Sequence, residues 1–161
     1  MAMDMFLVID TIKGESQDNT HMEVIDVLAW SWGGSQSGTT HMGGGSGAGK
    51  VNIQDMSLTK YVDAASTTLF QSMCKGTHIP EALLIVRKAG DTPLEYIKIK
   101  MVDVIVSSMS TGGSGGEDRL TENISLNFGK FHVDYQSQDA TGAGKPAGVA
   151  LVWDIAANTA A

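Results

Sequence analysis

Val24–Tyr61 reads VIDVLAWSWGGSQSGTTHMGGGSGAGKVNIQDMSLTKY, two strand-like segments with a glycine-rich tract between them. Val24–Trp32 is a short apolar strand. Val51–Tyr61 alternates with period two, first as Val51 and Ile53, then as Met56 and Leu58. The phase slips at Gln54–Asp55, as one extra residue in a bulge would make it do. Between them, thirteen of the eighteen residues from Gly33 to Lys50 are Gly, Ser or Thr, and Met42 is the only hydrophobic anchor. A loop of that length inside one domain is disordered, a linker or a functional element. Strands of one domain on both sides remove the linker reading.

Outward from this stretch, most of the hydrophobic signal has period two or comes in short apolar runs. Met5–Ile9 is a strand. Ala82–Lys88 and Tyr96–Ser108 form a pair, and the intervening AGDTPLE makes them a hairpin. A second phase slip falls at Met101–Val102. Leu120–Phe128 and Phe131–Tyr135 follow, with Gly129 as a bend, and Val149–Ile155 is the last strand. Ser66–Lys75 breaks the rhythm. It has a Ser/Thr cap at its start, Gly76 just past its end, and Leu69, Phe70 and Met73 on one helical face. The pattern predicts seven or eight short strands and one helix packed across a barrel end. That is a mainly β fold, an antiparallel barrel or two-sheet sandwich. No tandem repeat divides the chain, so residues 1–161 read as one domain with a projecting loop at 33–50.

A chain of 161 residues with 42% hydrophobic content can bury a real core. Its formal net charge of -7 and its lack of any basic run argue against a nucleic-acid partner. Arg87 and Arg119 are the only guanidinium donors. The single cysteine, Cys74, rules out an internal disulfide and fits a reducing compartment. Asp4 and Asp10 stand where a signal peptide would be basic, and Met5–Ile9 is too short for its apolar run. No stretch approaches a membrane span. The expectation is a cytoplasmic chain, without membrane contact, whose export would bypass a cleaved signal.

Several motifs invite a catalytic reading and fail on context. Gly44–Lys50, GGSGAGK, matches the phosphate-cradling loop. That mechanism needs a buried strand before it and a helix after it. Val51 replaces the Mg²⁺-binding hydroxyl, and VNIQDMSL has strand periodicity. Gly112–Gly116, GGSGG, matches G-x-S-x-G around Ser114, but EDRLTENISLNF leads into a strand and His132 is the only later histidine. Cys74 and His78 are separated by Gly76, and His21, His41 and His132 are scattered, whereas zinc wants three or four convergent ligands. Cys74 therefore reads as a buried thiol near a helix end. Glu117 and Asp118, adjacent in an extended chain, point opposite ways and serve as turn charges or partners for Arg119. Asn123-Ile124-Ser125 fits a glycosylation sequon but lies mid-strand. The residues imply no enzyme, cofactor or metal.

Trp30-Ser31-Trp32 is more informative. In a strand both indoles face the core, and Ala29 and Ser31 face the other way. That second face is small and uncharged, which suits close contact with another molecule.

A likeness runs along nearly the whole chain. It is carried by KGES at Lys13–Ser16, His21, IDVLAWSWG at Ile25–Gly33 and HMGGGSGAGKVNIQDMSLTKYVD at His41–Asp63. RKAG at Arg87–Gly90 and STGGSGGEDRLTENISLNFGKFHVDY at Ser110–Tyr135 continue it. From Met5 to about Gln136 the chain resembles Hcp, the haemolysin-coregulated tube protein of type VI secretion systems. Beyond Ser137 only a final strand fits. The resemblance implies a β-barrel of two sheets with one helix at the side, similar to the tail-tube proteins of contractile phages. It implies hexameric rings with a central channel, stacked into a tube that a contractile sheath expels behind a VgrG-type spike. It implies secretion without a signal peptide, roles in virulence and interbacterial competition, small effectors carried in the lumen, and no catalytic residue. Some members carry a C-terminal toxin domain, for which a chain ending at Ala161 leaves no room.

The resemblance assigns the glycine-rich loop to contacts with neighbouring subunits or the next ring. The expected stacking residues are Gly38, Thr39, Thr40, His41, Met42, Gly43, Gly44, Gly45, Ser46 and Gly47, and the expected lumen residues are Ala29 and Ser31. Backbone can approach backbone where no Cβ intervenes, so such an arm can lie flat on a neighbour. The other class of function, a small-ligand or nucleotide-binding β-domain using the same loop, would need a convergent polar cluster that the sequence does not display.

Overall fold

The computed structural model describes residues 3–38, 49–90, 93–138, 141, 144 and 150–161. Among these lie ten strands and one helix. They are β1 (Met3–Val8), β2 (Ile25–Ser31), β3 (Gly34–Ser35), β4 (Asn52–Ile53), β5 (Met56–Tyr61), α1 (Ser66–Lys75), β6 (Ile79–Lys88), β7 (Leu94–Thr111), β8 (Thr121–Tyr135), β9 (Leu151–Asp154) and β10 (Thr159–Ala160).

Antiparallel pairing runs β8-β5-β2-β1-β6-β7, and β7 pairs again with β8, so six strands close into a barrel. Closure removes the sheet edges that a soluble chain would otherwise have to protect. Strands β9 and β10 extend the sheet from the far half of β8, through the register Lys130↔Asp154 to Val133↔Leu151. A separate ribbon of β3 and β4 holds the two ends of the glycine-rich tract, with Gly34 opposite Ile53.

The strands are not all short. β7 spans 18 residues and β8 spans 15, and together they form one long hairpin around Gly112–Leu120. Their inward faces change phase in step. Ile99 and Met101 are buried on β7, then Val104 and Val106; on β8 the buried pair across the shift is Phe128 and Phe131. The change falls at Asp103, in the left-handed region at φ 56°, with Gly129 beside it. The slip expected at Met101–Val102 therefore lies just beyond, at Asp103, and Gly129 bends a continuous strand. The phase slip at Gln54–Asp55 is there, but in place of a bulge within one strand the chain passes from β4 in the small ribbon to β5 in the barrel.

The interior is aliphatic, built from Leu7, Ile25, Met56, Leu84, Met101 and Leu126 among others, each 0% exposed. Burial of that kind stabilises by about 25 cal/mol per Å² of apolar surface. Helix α1 ends as expected: Gly76 takes φ 62°, and the Gly76 and Thr77 amides donate to the carbonyls of Met73 and Ser72. Its start differs from expectation. Ala65 occupies the cap position, while the Ser66 Oγ accepts the Asp63 N–H at 2.9 Å. Phe70 is corrected too. The buried stripe is Ser66, Leu69 and Ser72, and Phe70, one residue round from Leu69, is 44% exposed. Cys74, expected to be buried, is exposed on the same outer side.

After a turn that buries Ile9 and Ile12 in the core, residues 13–24 form a strap over the outside of β1 and β6. Gly14 donates its N–H to the Glu23 carbonyl, and Ser16 donates to that of Val24. A Cβ at Gly14 would lie 2.6 Å from the Val24 carbonyl oxygen, which explains the glycine of the KGES sequence. Under the strap, Phe6 and Ile85 are paired across β1 and β6 and are each 3% exposed, though they lie outside the barrel interior. These two strands are therefore covered on both faces.

Candidate functional site

Ala29 and Ser31 are exposed, and Trp30 and Trp32 pack against the core, as the alternation required. A bulge between Val27 and Ala29 shifts the phase, so Val27 and Trp30 both turn inward and Leu28 is left on the surface. Cross-strand register then extends the small-residue face well beyond β2. Ser31 pairs with Ser57 of β5, Ser57 with Ser125 of β8, and Ser125 with Ser108 of β7. The neighbouring row runs Ala29, Thr59, Asn123, Ser110 in the same manner.

Eight positions on four strands thus carry no charge and no large side chain. The face holds a shallow hollow of about 350 Å³ over Ala29, Ser31, Ser57, Thr59, Asn123 and Ser125. Within it the Thr59 Oγ1 donates to the Asn123 Oδ1 at 2.7 Å. At its rim the Asp55 carboxylate accepts bonds from the Ser107 Oγ at 2.7 Å and the Asn127 Nδ2 at 2.8 Å. These bonds tie the β4–β5 break to the β7–β8 hairpin. Chemically the surface offers hydroxyls and one amide at close approach, with nothing that could act as a nucleophile–base pair. The six residues beyond β2 were not singled out from the sequence. Part of the signal was available: Ser57, Thr59, Asn123 and Ser125 alternate with the buried Leu58, Ile124 and Leu126, whereas Ser108 and Ser110 flank the half-buried Met109.

The glycine-rich arm is pinned at its root. The Gln54 N–H donates to the Gly33 carbonyl at 2.9 Å, and the Trp32 Nε1–H donates to the Gln54 carbonyl at 2.9 Å. Gly38 is exposed, and a Cβ there would meet nothing within 4 Å. Thr39, Thr40, His41, Met42, Gly43, Gly44, Gly45, Ser46 and Gly47 lie outside the described residues. Lys50 is followed by the strand β4, not by the helix a phosphate loop needs.

Charge is concentrated elsewhere. On the strap, Asp18 receives both terminal nitrogens of Arg87, at 3.1 and 2.5 Å, and Arg87 also reaches Asp4 at 2.9 Å. The Arg87 hydrogen bond holds the Asp18 carboxyl well below the usual carboxylate range, against the opposing pull of burial. His21 lies on the Phe6 ring and bonds Glu95 of β7. Burial pushes Glu95 up, but hydrogen bonds from His21 and Lys98 outweigh it and leave Glu95 lowered. Inside the barrel, the fully buried Lys60 ammonium contacts Glu122 at 2.5 Å and Asp63 at 2.9 Å. Both groups of ion pairs join distant parts of the chain. Glu117 and Asp118 are exposed in the β7–β8 turn, and Arg119 stacks on Tyr61 at 3.7 Å. Ser114 lies in the same turn, while His132 sits at the other end of β8, 3.2 Å from Asp134. Among the described residues no three His, Cys, Asp or Glu gather as a metal site. Among the described residues no helix is long and apolar enough to cross a membrane.

The same fold occurs in solved structures of type VI secretion proteins. The chain superposes with a TM-score of 0.93 on a solved structure described as a type six secretion system protein, at 28% identity, covering 98% of this chain and 99% of that one. Crystalline Hcp1 of Salmonella typhimurium gives a TM-score of 0.77 at 33% identity, covering 99% of each chain. Protein hcp1 of Pseudomonas aeruginosa is 57% identical over 162 residues, covering 100% of both. Residues 6–135 match the family described as "Type VI secretion system effector, Hcp". The chain belongs to the Hcp family, and is a secreted protein of the type VI system.

Proposed function

We propose that the chain is a tube subunit, six copies of which close into a ring with the Ala29–Ser31 face lining the channel. The observation that carries this reading is the two-row face itself, four strands wide and free of charge. A head-to-tail contact that closes after a fixed rotation makes a ring. Strands lie about 4.8 Å apart, so a four-strand face is about 19 Å wide. Six such faces side by side enclose a channel roughly 35–40 Å across, measured between backbones. That width admits a small folded protein, which fits an effector carrier.

In this reading the arm at Gly38–Gly47 lies against the neighbouring subunit or the next ring, and rings stack into a tube. The tube is expelled from the cytoplasm by the sheath behind a VgrG-type spike, without a cleaved signal and without catalysis by the tube. Family membership supports each of these partners.

Replacing Ser31 with Arg places a long cation in every repeat of the channel wall. Rings of the variant should form normally and co-purify with little or none of the small secreted protein that the natural ring retains. Undiminished cargo on Ser31→Arg rings would remove Ser31 from the channel.

A further inference from the structure

We propose that α1 is a lid held over the end of the barrel mainly by a buried charged latch, and that it lifts in a local opening while the strands stay paired. The inward ladder of β5 runs Met56, Leu58, Lys60, and that of β8 runs Glu122, Ile124, Leu126. Lys60 and Glu122 are direct cross-strand partners, so the aliphatic interior ends on an ion pair. The first turn of α1 sits on that pair. The Ser66 Oγ donates to the Glu122 Oε1 at 2.5 Å, and the Lys60 Nζ donates to the Ser66 Oγ at 3.2 Å and to the Tyr61 carbonyl at 2.8 Å. Asp63 accepts from Lys60 at 2.9 Å and from the Ala65 N–H at 2.9 Å. Two carboxylates thus share one buried ammonium.

Apolar packing here is narrow, resting on Leu69 and the preceding Ala65 in the core and on contact with β7. Of the three buried residues of α1, two are serines and one is Leu69; Met73 is half-buried. A ten-residue helix is marginal on its own. Beyond the latch, α1 lies along β7, and the Ala64 N–H just before it donates to the Glu15 carboxylate at 3.0 Å.

The physics of the latch makes opening inexpensive. Burying an ion pair costs desolvation that its Coulomb attraction roughly offsets, so the closed latch holds position more than it adds stability. Lifting α1 returns Lys60, Glu122 and Asp63 to water and regains that hydration. Gly76 supplies one hinge, and Val62–Asp63 the other. The strand ladders do not pass through α1 and need not break. Elements held by few apolar contacts open below the free energy of global unfolding.

Hydrogen exchange of the full-length protein, with urea titrated below the unfolding transition, tests this. Amides of α1 should exchange at least about tenfold faster than those of β1 and β6, with a much weaker urea dependence. Two variants then move α1 in opposite directions. Lys60→Met strands two carboxylates, and α1 protection should fall about a hundredfold or more while β1 and β6 keep theirs. Lys60→Met with Asp63→Asn and Glu122→Leu removes the desolvation cost, and α1 protection should meet or exceed the natural level. The proposal is overturned if α1 amides share the protection and urea dependence of the strands. It is equally overturned if Lys60→Met lowers strand and helix protection alike, or if the triple variant loosens α1.

Discussion

At the scale of single residues, the close contacts say where substitutions are costly. Gly76 holds φ 62°, and a Cβ there would touch nothing within 4 Å, so backbone strain is the whole effect of adding one. Gly76→Ala should cost about 1 kcal/mol, read as a lower urea midpoint with an unchanged slope. An unchanged midpoint would mean that the helix end relaxes freely. Asp18 makes a pH-dependent contribution of known sign. Its folded carboxyl is held below the ordinary value by Arg87, so its contribution is complete above about pH 4 and is lost as pH falls further. Asp18→Asn should therefore destabilise by about 2 kcal/mol at pH 7 and by about 1 kcal/mol less at pH 3, where the unfolded carboxyl is largely protonated, measured by urea unfolding at both. Equal losses at the two values would show that the strap does not depend on the charge.

Residue-scale reading from sequence succeeded where one neighbour decides the outcome. Ala29 and Ser31 were legible because the indoles on either side fix the inward face. Gly76 was legible because it follows a helical stripe. Phe70 and Cys74 were misplaced because α1 rests on the barrel through a narrow stripe of Ser66, Leu69 and Ser72. Hydrophobicity alone widens that stripe to include Phe70. The charged latch was not foreseen at all. Lys60 sits on an alternating strand among Leu58 and Met56, and only the position of Glu122 across the ladder makes its burial possible.

At the scale of elements, periodicity found the strands of the barrel but not how far two of them run. β7 and β8 change phase together at Asp103 and Gly129, and a single-strand pattern shows this only as an interruption. The bulge after Val27 was hidden for a related reason: Val27-Leu28-Ala29-Trp30 is apolar throughout, so no alternation marks the extra residue. The arm belongs to this scale as well. Its root is fixed by the β3–β4 ribbon and the Trp32–Gln54 bond, with Trp32 and Ile53 packed on the core, and the tract from Gly43 to Gly49 lies beyond that root. Deleting Gly43–Gly49 should accordingly leave the thermal midpoint of the subunit within a few degrees of the natural protein. Stacking of rings should weaken at least tenfold in concentration, followed by light scattering. Stacking retained at ordinary protein concentration would separate the arm from assembly.

At the scale of the whole molecule, the formal charge of -7 contrasts with the uncharged eight-residue face. Among the described residues the acids lie on the strap, in turns and on strands, all outside those eight positions. A surface meant only for water would share that charge. A face set aside for contact, four strands wide, is what the ring account requires, and it gives the ring a size. The direct measurement is imaging of the purified full-length protein by negative-stain electron microscopy, with its mass in solution. The account predicts six-fold rings of about 100 kDa, six chains of 17.0 kDa each, with an open centre no wider than roughly 35–40 Å. A monomer at high concentration, or a particle with no central opening, would contradict it.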